Sequence, residues 1–305
     1  MSTSKAKQII LKFFSLFSAV RGYNILVLIF AQYLAAIFIF SPTNSLKDVV
    51  FDIQLLFLVL ASVFVVAGGY IINNFYDAKV DEINRPVKTN LENYVKQSTK
   101  LRLYFLLNFI GFGFGVLISL RAALFFAVYI FAIWFYSHKL KKHPFLSVIS
   151  ATILTISPFF AVFVYFDNFS KIIFVHALFL FLVIMVRELI KDLQNIKGAI
   201  VNNYKTFPVV YGEKKTKQLS ILLLVLTIVP ISILFSYPGI SYMRYYFYFA
   251  LFILVFVGFY LWKSKTRNHY RVLHNTLKLL LFIGALCLIF IDTSLLLDKV
   301  MNRLN

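Results

Sequence analysis

Nine runs of mostly apolar residues set the terms for this chain. They lie at roughly 24–41, 49–74, 102–119, 121–137, 146–166, 171–189, 217–237, 243–262 and 277–297. A run of about 20 such residues is long enough to cross the hydrocarbon of a bilayer. Inside that hydrocarbon every backbone N–H and C=O must find its partner within the segment, so each run is expected to be a helix. With 61% hydrophobic residues in 305, the chain is too apolar for an ordinary soluble protein. The expected fold class is all-α, a polytopic membrane bundle of nine transmembrane helices. No hydrophilic stretch is long enough for a separate soluble unit, so residues 1–305 read as a single integral membrane domain. Residues 1–23 are short, amphipathic and interrupted by Lys12 and Arg21. They suit an interfacial segment leading into the first span better than a cleaved signal peptide.

The net charge is +19. In a soluble protein that would suggest nucleic acid, but here the cations sit in short connections between apolar runs, so no nucleic acid is expected. Counting Lys and Arg gives 25 on the side holding the N-terminus and 6 on the other, the latter including Lys299 and Arg303 of the C-terminal tail. Cytoplasmic loops carry the excess of positive charge. Nine spans with a cytoplasmic N-terminus and cytoplasmic long loops therefore fit, as a multi-pass protein of the cell membrane. The one cysteine, Cys287, lies in an apolar run and reads as a small buried residue.

Only 12 acids are present. Asp48, Asp52, Asp167, Asp292 and Asp298 fall near the far side or in the tail. The other seven, Asp77, Asp81, Glu82, Glu92, Glu188, Asp192 and Glu213, fall in the two long cytoplasmic segments. Asn73, Asp77 and Asp81 stand at i, i+4 and i+8, one face of a helix. Glu188 and Asp192 repeat the i, i+4 spacing, with Asn195 one turn on. Clusters of carboxylate and amide oxygens are what Mg2+ takes as ligands, usually together with substrate phosphate. The candidate metal ligands are Asn73, Asp77, Asp81, Glu188 and Asp192. Arg85 and Lys88 follow the first cluster, Lys191 and Lys197 flank the second, and Lys139, Lys141 and Lys142 fill the loop after the fourth span. Such cations bind diphosphate oxygens and stabilise a leaving group. The plainer account of single acids is pairing with local lysines, as Asp77 with Lys79 or Lys88. Positive-inside bias alone accounts for much of the lysine loops. His269 and His274 are spaced i, i+5, a poor metal pair on a helix.

These motifs have a family resemblance. "NNFYDAKVDEINRP" (residues 73–86) resembles the N-D-x-x-D-x-x-x-D signature of the UbiA superfamily of intramembrane prenyltransferases. "RGYN", with Arg21 and Asn24, resembles its R-P-x-N. "YSHKLKK", with Tyr136 and Lys141, resembles its Y-x-x-x-L-K-R. "RELIKDLQNIKG" (187–198) resembles the second aspartate motif, and "KTFPVVYG" (205–212) the T-L-P-V-x-x-G that follows it. The resemblance implies a nine-helix bundle around a central cavity open to lipid. It implies a polyprenyl diphosphate bound with Mg2+ at the two acidic motifs and a prenyl group passed to a lipophilic acceptor. By matching position, Asn73, Asp77 and Asp81 would hold one Mg2+ and Glu188 and Asp192 the other. Arg85 and Lys141 would contact the diphosphate, and the Tyr136 ring would stabilise a developing allyl cation. Asp77, Asp81, Asp192 and Tyr136 are thus the candidate catalytic residues. Arg21, Asn24, Asn73, Arg85, Lys88, Lys141, Lys191 and Lys197 are the candidate substrate contacts. The chain departs from the pattern at Asn74, Glu188, Asn195 and Ala199, where acids or a different acid are usual, and at Gly22, which replaces Pro.

The "VDEINRP" ending is more similar to the branch that prenylates geranylgeranylglyceryl phosphate, and to chlorophyll synthases, than to haem O or 4-hydroxybenzoate enzymes. An ether-lipid acceptor is the first expectation and an aromatic or quinone precursor the second. An ion-coupled transporter is the competing reading of another class. Carriers place their ionisable groups near the bilayer midplane, whereas these acids sit at helix ends. A catalytically dead homologue that binds isoprenoids is a third reading.

Overall fold

The computed structural model describes residues 5–41 and 44–291, and every regular element among them is helical. Asp292, Asp298, Lys299 and Arg303 lie outside the described residues. Among the described residues, nine helices are long and apolar enough to cross a membrane: Gly22–Phe40, Ile53–Asn84, Gln97–Ile118, Leu120–Lys142, Pro144–Phe166, Lys171–Gln194, Phe207–Phe235, Met243–Lys263 and Arg267–Phe290. The chain is therefore an integral multi-pass membrane protein. Large apolar side chains such as Phe105, Phe109, Leu117, Leu124 and Phe252 stand exposed on its outer surface, as lipid-facing positions require.

Three spans extend about ten residues beyond their apolar runs, the seventh with a break at Gly212 (φ 84°). The second continues to Asn84 rather than ending near 74, the seventh begins at Phe207 rather than 217, and the ninth begins at Arg267 rather than 277. A 32-residue helix is about 48 Å long, against about 30 Å of hydrocarbon. Its last turns therefore stand clear of the apolar layer, and the first acidic motif is a rigid continuation of the span.

Local chemistry fixes the ends. Asp52 caps the second span, accepting from the amides of Gln54 (2.9 Å) and Leu55 (3.2 Å), and its other oxygen accepts from the Tyr165 hydroxyl at 2.6 Å. That joins the second and fifth spans on the far side. Pro144 and Pro208 sit in the first turns of the fifth and seventh spans, where the missing N–H has no helical role. Pro158 interrupts the fifth span, and its carbonyl accepts from Gln32 at 2.9 Å. Between the third and fourth spans only Ser119 is non-helical, and its hydroxyl caps the fourth at Ala122 (3.1 Å).

Two short helices fill what the sequence suggests are long loops: Pro86–Glu92 after the second span and Ile196–Val201 after the sixth. The N-terminal helix Lys5–Ala19 rests on the first of them. Ser15 donates to the Glu92 carbonyl (3.0 Å) and Ser18 to its carboxylate (3.0 Å). Its opposite face exposes Ile9, Ile10, Phe13, Phe14 and Phe17.

Candidate active site

The second span carries Asn73, Asp77 and Asp81 on one face, and the sixth carries Glu188 and Asp192 towards the same side of the bundle. One amide side chain fastens the two. Asn84, 3% exposed, donates to the Asn195 carbonyl (3.2 Å) and accepts from the Gly198 amide (3.3 Å). A Cβ at residue 198 would come within 2.3 Å of the Asn84 side-chain nitrogen, so glycine is required there for the approach. Arg267, at the start of the ninth span, donates to the Asn84 carbonyl. Sequence reasoning passed over Asn84, Gly198 and Arg267. The only signal for Asn84 and Gly198 was position, just beyond each acidic motif, and Arg267 carried none.

Between the two helices lies a small polar cavity of about 50 Å³. Asp77, Asp81, Asp192, Asn195, Lys141 and Tyr204 are among its lining residues. Lys141 reaches in from the end of the fourth span and donates to Asn73 (2.7 Å) and to Asp77. The second oxygen of Asp77, the side-chain oxygen of Asn195 and the Thr206 hydroxyl are buried without a hydrogen-bond partner among the described residues, and all three residues line this cavity. Buried oxygens left unpaired are costly unless an ion or water serves them. Among the described residues no three His, Cys, Asp or Glu side chains form a ready-made metal cage. Mg2+ does not require one, since it is held by one or two carboxylates and completes its shell with substrate phosphate and water. The donor set of carboxylate and amide oxygens fits that ion.

Glu188 differs from its neighbour. Both of its oxygens are engaged, one by Arg187 at 2.8 Å and the other by Lys191 at 2.5 Å. Asn74 turns away from the cavity. It donates to Glu92 at 2.7 Å and accepts from Lys100 at 3.0 Å. Glu92, 1% exposed, also holds Lys88 at 3.1 Å. Burial, reinforced by Arg21, pushes the Lys88 ammonium below the ordinary lysine range. Burial and the nearby Arg21 and Arg267 do the same to the Arg85 guanidinium, against the pull of Asp81 and Asp77. Tyr204, another residue missed in the sequence, has its hydroxyl pushed up to about 12, by burial first and then by Asp77 and Asp81. At neutral pH it is a hydrogen-bond donor.

A second, larger cavity of about 1010 Å³ opens beside the first. It runs through the depth of the bundle, from Arg85 and Lys88 on the basic side to Ile39, Phe159 and Met243 near the far ends of their helices. Apolar side chains such as Leu28, Leu180 and Leu288 line its length. The two cavities share Arg21, Asn73, Arg85, Tyr136, Glu188 and Lys191. Tyr136 is 8% exposed and stands at their junction. Arg21 is held in the left-handed region (φ 51°, ψ 53°) with its guanidinium 4.9 Å from the Tyr70 ring centre. Non-glycine residues in that conformation collect at functional sites. Asn24 bonds Tyr70 (3.3 Å) and lines the larger cavity. Of the sequence-derived candidates only Lys197 is exposed and lines neither cavity.

A polar pocket lined by carboxylates and cations, joined to a mostly apolar channel within a helix bundle, suits a membrane enzyme acting on a lipid with an anionic head. The comparisons agree. Residues 34–286 match the UbiA prenyltransferase family. The digeranylgeranylglyceryl phosphate synthase of Saccharolobus solfataricus is 30% identical over 197 residues, covering 64% of this chain and 68% of that one. The synthase of the same name from Methanobrevibacter smithii is 26% identical over 285 residues, covering 87% and 94%. A UbiA homologue from Archaeoglobus fulgidus, solved with GPP and Mg2+ bound, superposes with a TM-score of 0.67 at 13% identity, covering 90% of this chain and 99% of that one. The chain belongs to the UbiA prenyltransferase family, and it is a membrane prenyltransferase.

Proposed function

We propose that this enzyme transfers a geranylgeranyl group from its diphosphate to geranylgeranylglyceryl phosphate, the ether-lipid reaction for which its synthase relatives are named. The observation that carries the reading is the junction of an acid-lined polar pocket with a long apolar cavity at Tyr136. Asp77, Asp81 and Asn73 on one helix and Asp192 and Asn195 on the other would hold Mg2+ against the diphosphate. When bound, Mg2+ neutralises the charge of the departing pyrophosphate. Lys141, Arg85 and Arg21 bind diphosphate oxygens and keep the head at the membrane edge. The tail occupies the apolar cavity, which excludes water from the reacting carbon. There the carbon–oxygen bond of the diphosphate breaks, with the electron pair leaving on pyrophosphate. The acceptor's hydroxyl oxygen bonds to the carbon, and its proton passes to the departing pyrophosphate. The Tyr136 ring, which lines both cavities, would stabilise positive charge on that carbon. By the positive-inside rule, the acidic motifs belong on the cytoplasmic face of the cell membrane.

The test is transfer of labelled geranylgeranyl diphosphate by the purified protein in detergent with Mg2+. Geranylgeranylglyceryl phosphate, aromatic acids and quinone precursors are offered as acceptors. Digeranylgeranylglyceryl phosphate is the expected product. Transfer to an aromatic acceptor alone overturns the reading.

A further inference from the structure

The ninth span begins earlier than its apolar run suggests, and the extra turns carry a pattern. Arg267, Arg271, His274 and Lys278 stand at i, i+4, i+7 and i+11, one face of the helix, and all four line the large cavity. Eight Lys and Arg residues line that cavity in all, against one carboxylate, Glu188. The cations divide into two groups. Arg187 and Lys191 are matched by Glu188, Lys88 is matched by Glu92, Arg85 lies in the field of Asp81 and Asp77, and Arg21 lies in the field of Asp81. The face on the ninth span has no such match. Arg267 donates to a backbone carbonyl, Lys278 donates to Asn24 (2.8 Å) and lies 4.5 Å from the Tyr23 ring centre, and Arg271 makes no ion pair among the described residues. The Nε of Arg267 and the Nδ1 of His274 are buried without partners among the described residues.

Ionisable groups held at a membrane edge without counter-charge point to a ligand that supplies it. The first polar pocket brings its own carboxylates and suits an anion carrying divalent metal. The ninth-span face carries three cations and a histidine with no acid on its own helix, and Glu188, which His274 faces, is already engaged by Arg187 and Lys191; that suits an anion that arrives without metal. We propose that Arg267, Arg271, His274 and Lys278 form the headgroup site for the acceptor and take a phosphomonoester. The diphosphate is then held at the acidic motifs, and the two anionic substrates are sorted by the sign of the protein charge each meets. This rests on the reading of the acceptor as a phosphorylated glycerol lipid. Arginine fits the role because its planar fork pairs with two phosphate oxygens at once.

Binding is measured with no diphosphate present, so that no turnover intervenes. The probes are labelled geranylgeranylglyceryl phosphate and its phosphate-free counterpart, geranylgeranylglycerol, in detergent. Arg271 is exposed to the cavity and Lys278 contacts the Asn24 amide and the Tyr23 ring, so their substitution spares the Arg267 tether to Asn84. In Arg271→Ala and Lys278→Ala the affinity for the phosphorylated lipid is expected to fall about tenfold each, as for the loss of a charge-assisted hydrogen bond. Affinity for the phosphate-free lipid should stay within twofold, and Arg271→Lys should recover part of the loss. The KM for geranylgeranyl diphosphate with Mg2+ should not follow. Equal weakening for both lipids, or a matching rise in that KM, overturns the headgroup site. Binding of the phosphorylated lipid that depends on Arg271, with no transfer to it by the wild type, overturns the proposed acceptor reaction and keeps the site. Binding of neither lipid by the wild type overturns both.

Discussion

The two acidic motifs share their i, i+4 spacing and lie on facing helices, yet their carboxylates meet different fates. Asp77 is held on one oxygen by Lys141, from the end of the fourth span, and keeps its other oxygen buried and unpaired. Glu188 is closed on both oxygens by Arg187 and Lys191 of its own helix. A partner from another element leaves coordination capacity open, while partners at i−1 and i+3 consume it. The same spacing therefore leaves a carboxylate oxygen open in one place and builds an internal ion-pair clamp in the other. Glu188 thereby holds Lys191, which lines both cavities, and Arg187, which lines the larger one.

The comparison breaks first at the open carboxylates. Asp77→Ala or Asp81→Ala should lower transfer by at least about a thousandfold, as for lost metal and leaving-group stabilisation. The variant should still insert and elute as a single species in detergent, and near-wild-type turnover in either would remove both residues from the reaction. Chelation should be as severe, and Mg2+ should restore the rate; activity that survives exhaustive chelation would leave the orphaned oxygens of Asp77 and Asn195 without a role. Glu188→Gln against Asp192→Asn sharpens the contrast. Asp192→Asn should cost about a hundredfold in rate with little change in thermal stability. Glu188→Gln should act mainly on stability, by about 3 kcal/mol, because it strands two cations where exposure is low. Equal rate losses at unchanged stability would mean that Glu188 is also an open ligand. The smallest effect is expected at Asn74→Asp. It restores the acid usual in the family and sets a carboxylate against the buried Glu92. Lys100 offsets part of the repulsion, leaving about 1 kcal/mol of lost stability in thermal unfolding, with turnover changed severalfold at most.

Much of this was legible because a bilayer constrains a chain so tightly. Span number follows from apolar length. The errors share one cause. An apolar-run criterion stops where charge begins, but a helix such as Ile53–Asn84 continues past the hydrocarbon, and those polar turns carry Asp77 and Asp81. The acids themselves could be read from spacing, and the family resemblance assigned them to metal. Their partners could not, since the Lys141–Asp77 and Asn84–Gly198 contacts join residues far apart in sequence. The departure at Asn74 also had no explanation until Glu92 was seen beside it. The ninth-span face went unread because Arg267 and Arg271 count equally well as cytoplasmic loop charge.

The connection at Ser119 bears on how the protein is made. One extended residue separates the third helix from the fourth, and consecutive Cα atoms are only about 3.8 Å apart. Nothing that short can trail outside while one helix waits for the other. During synthesis the two must enter the lipid together as a hairpin, with no translocated loop between them. A glycosylation tag or protease site placed there would therefore report on the coupling of two insertion events rather than on an accessible loop.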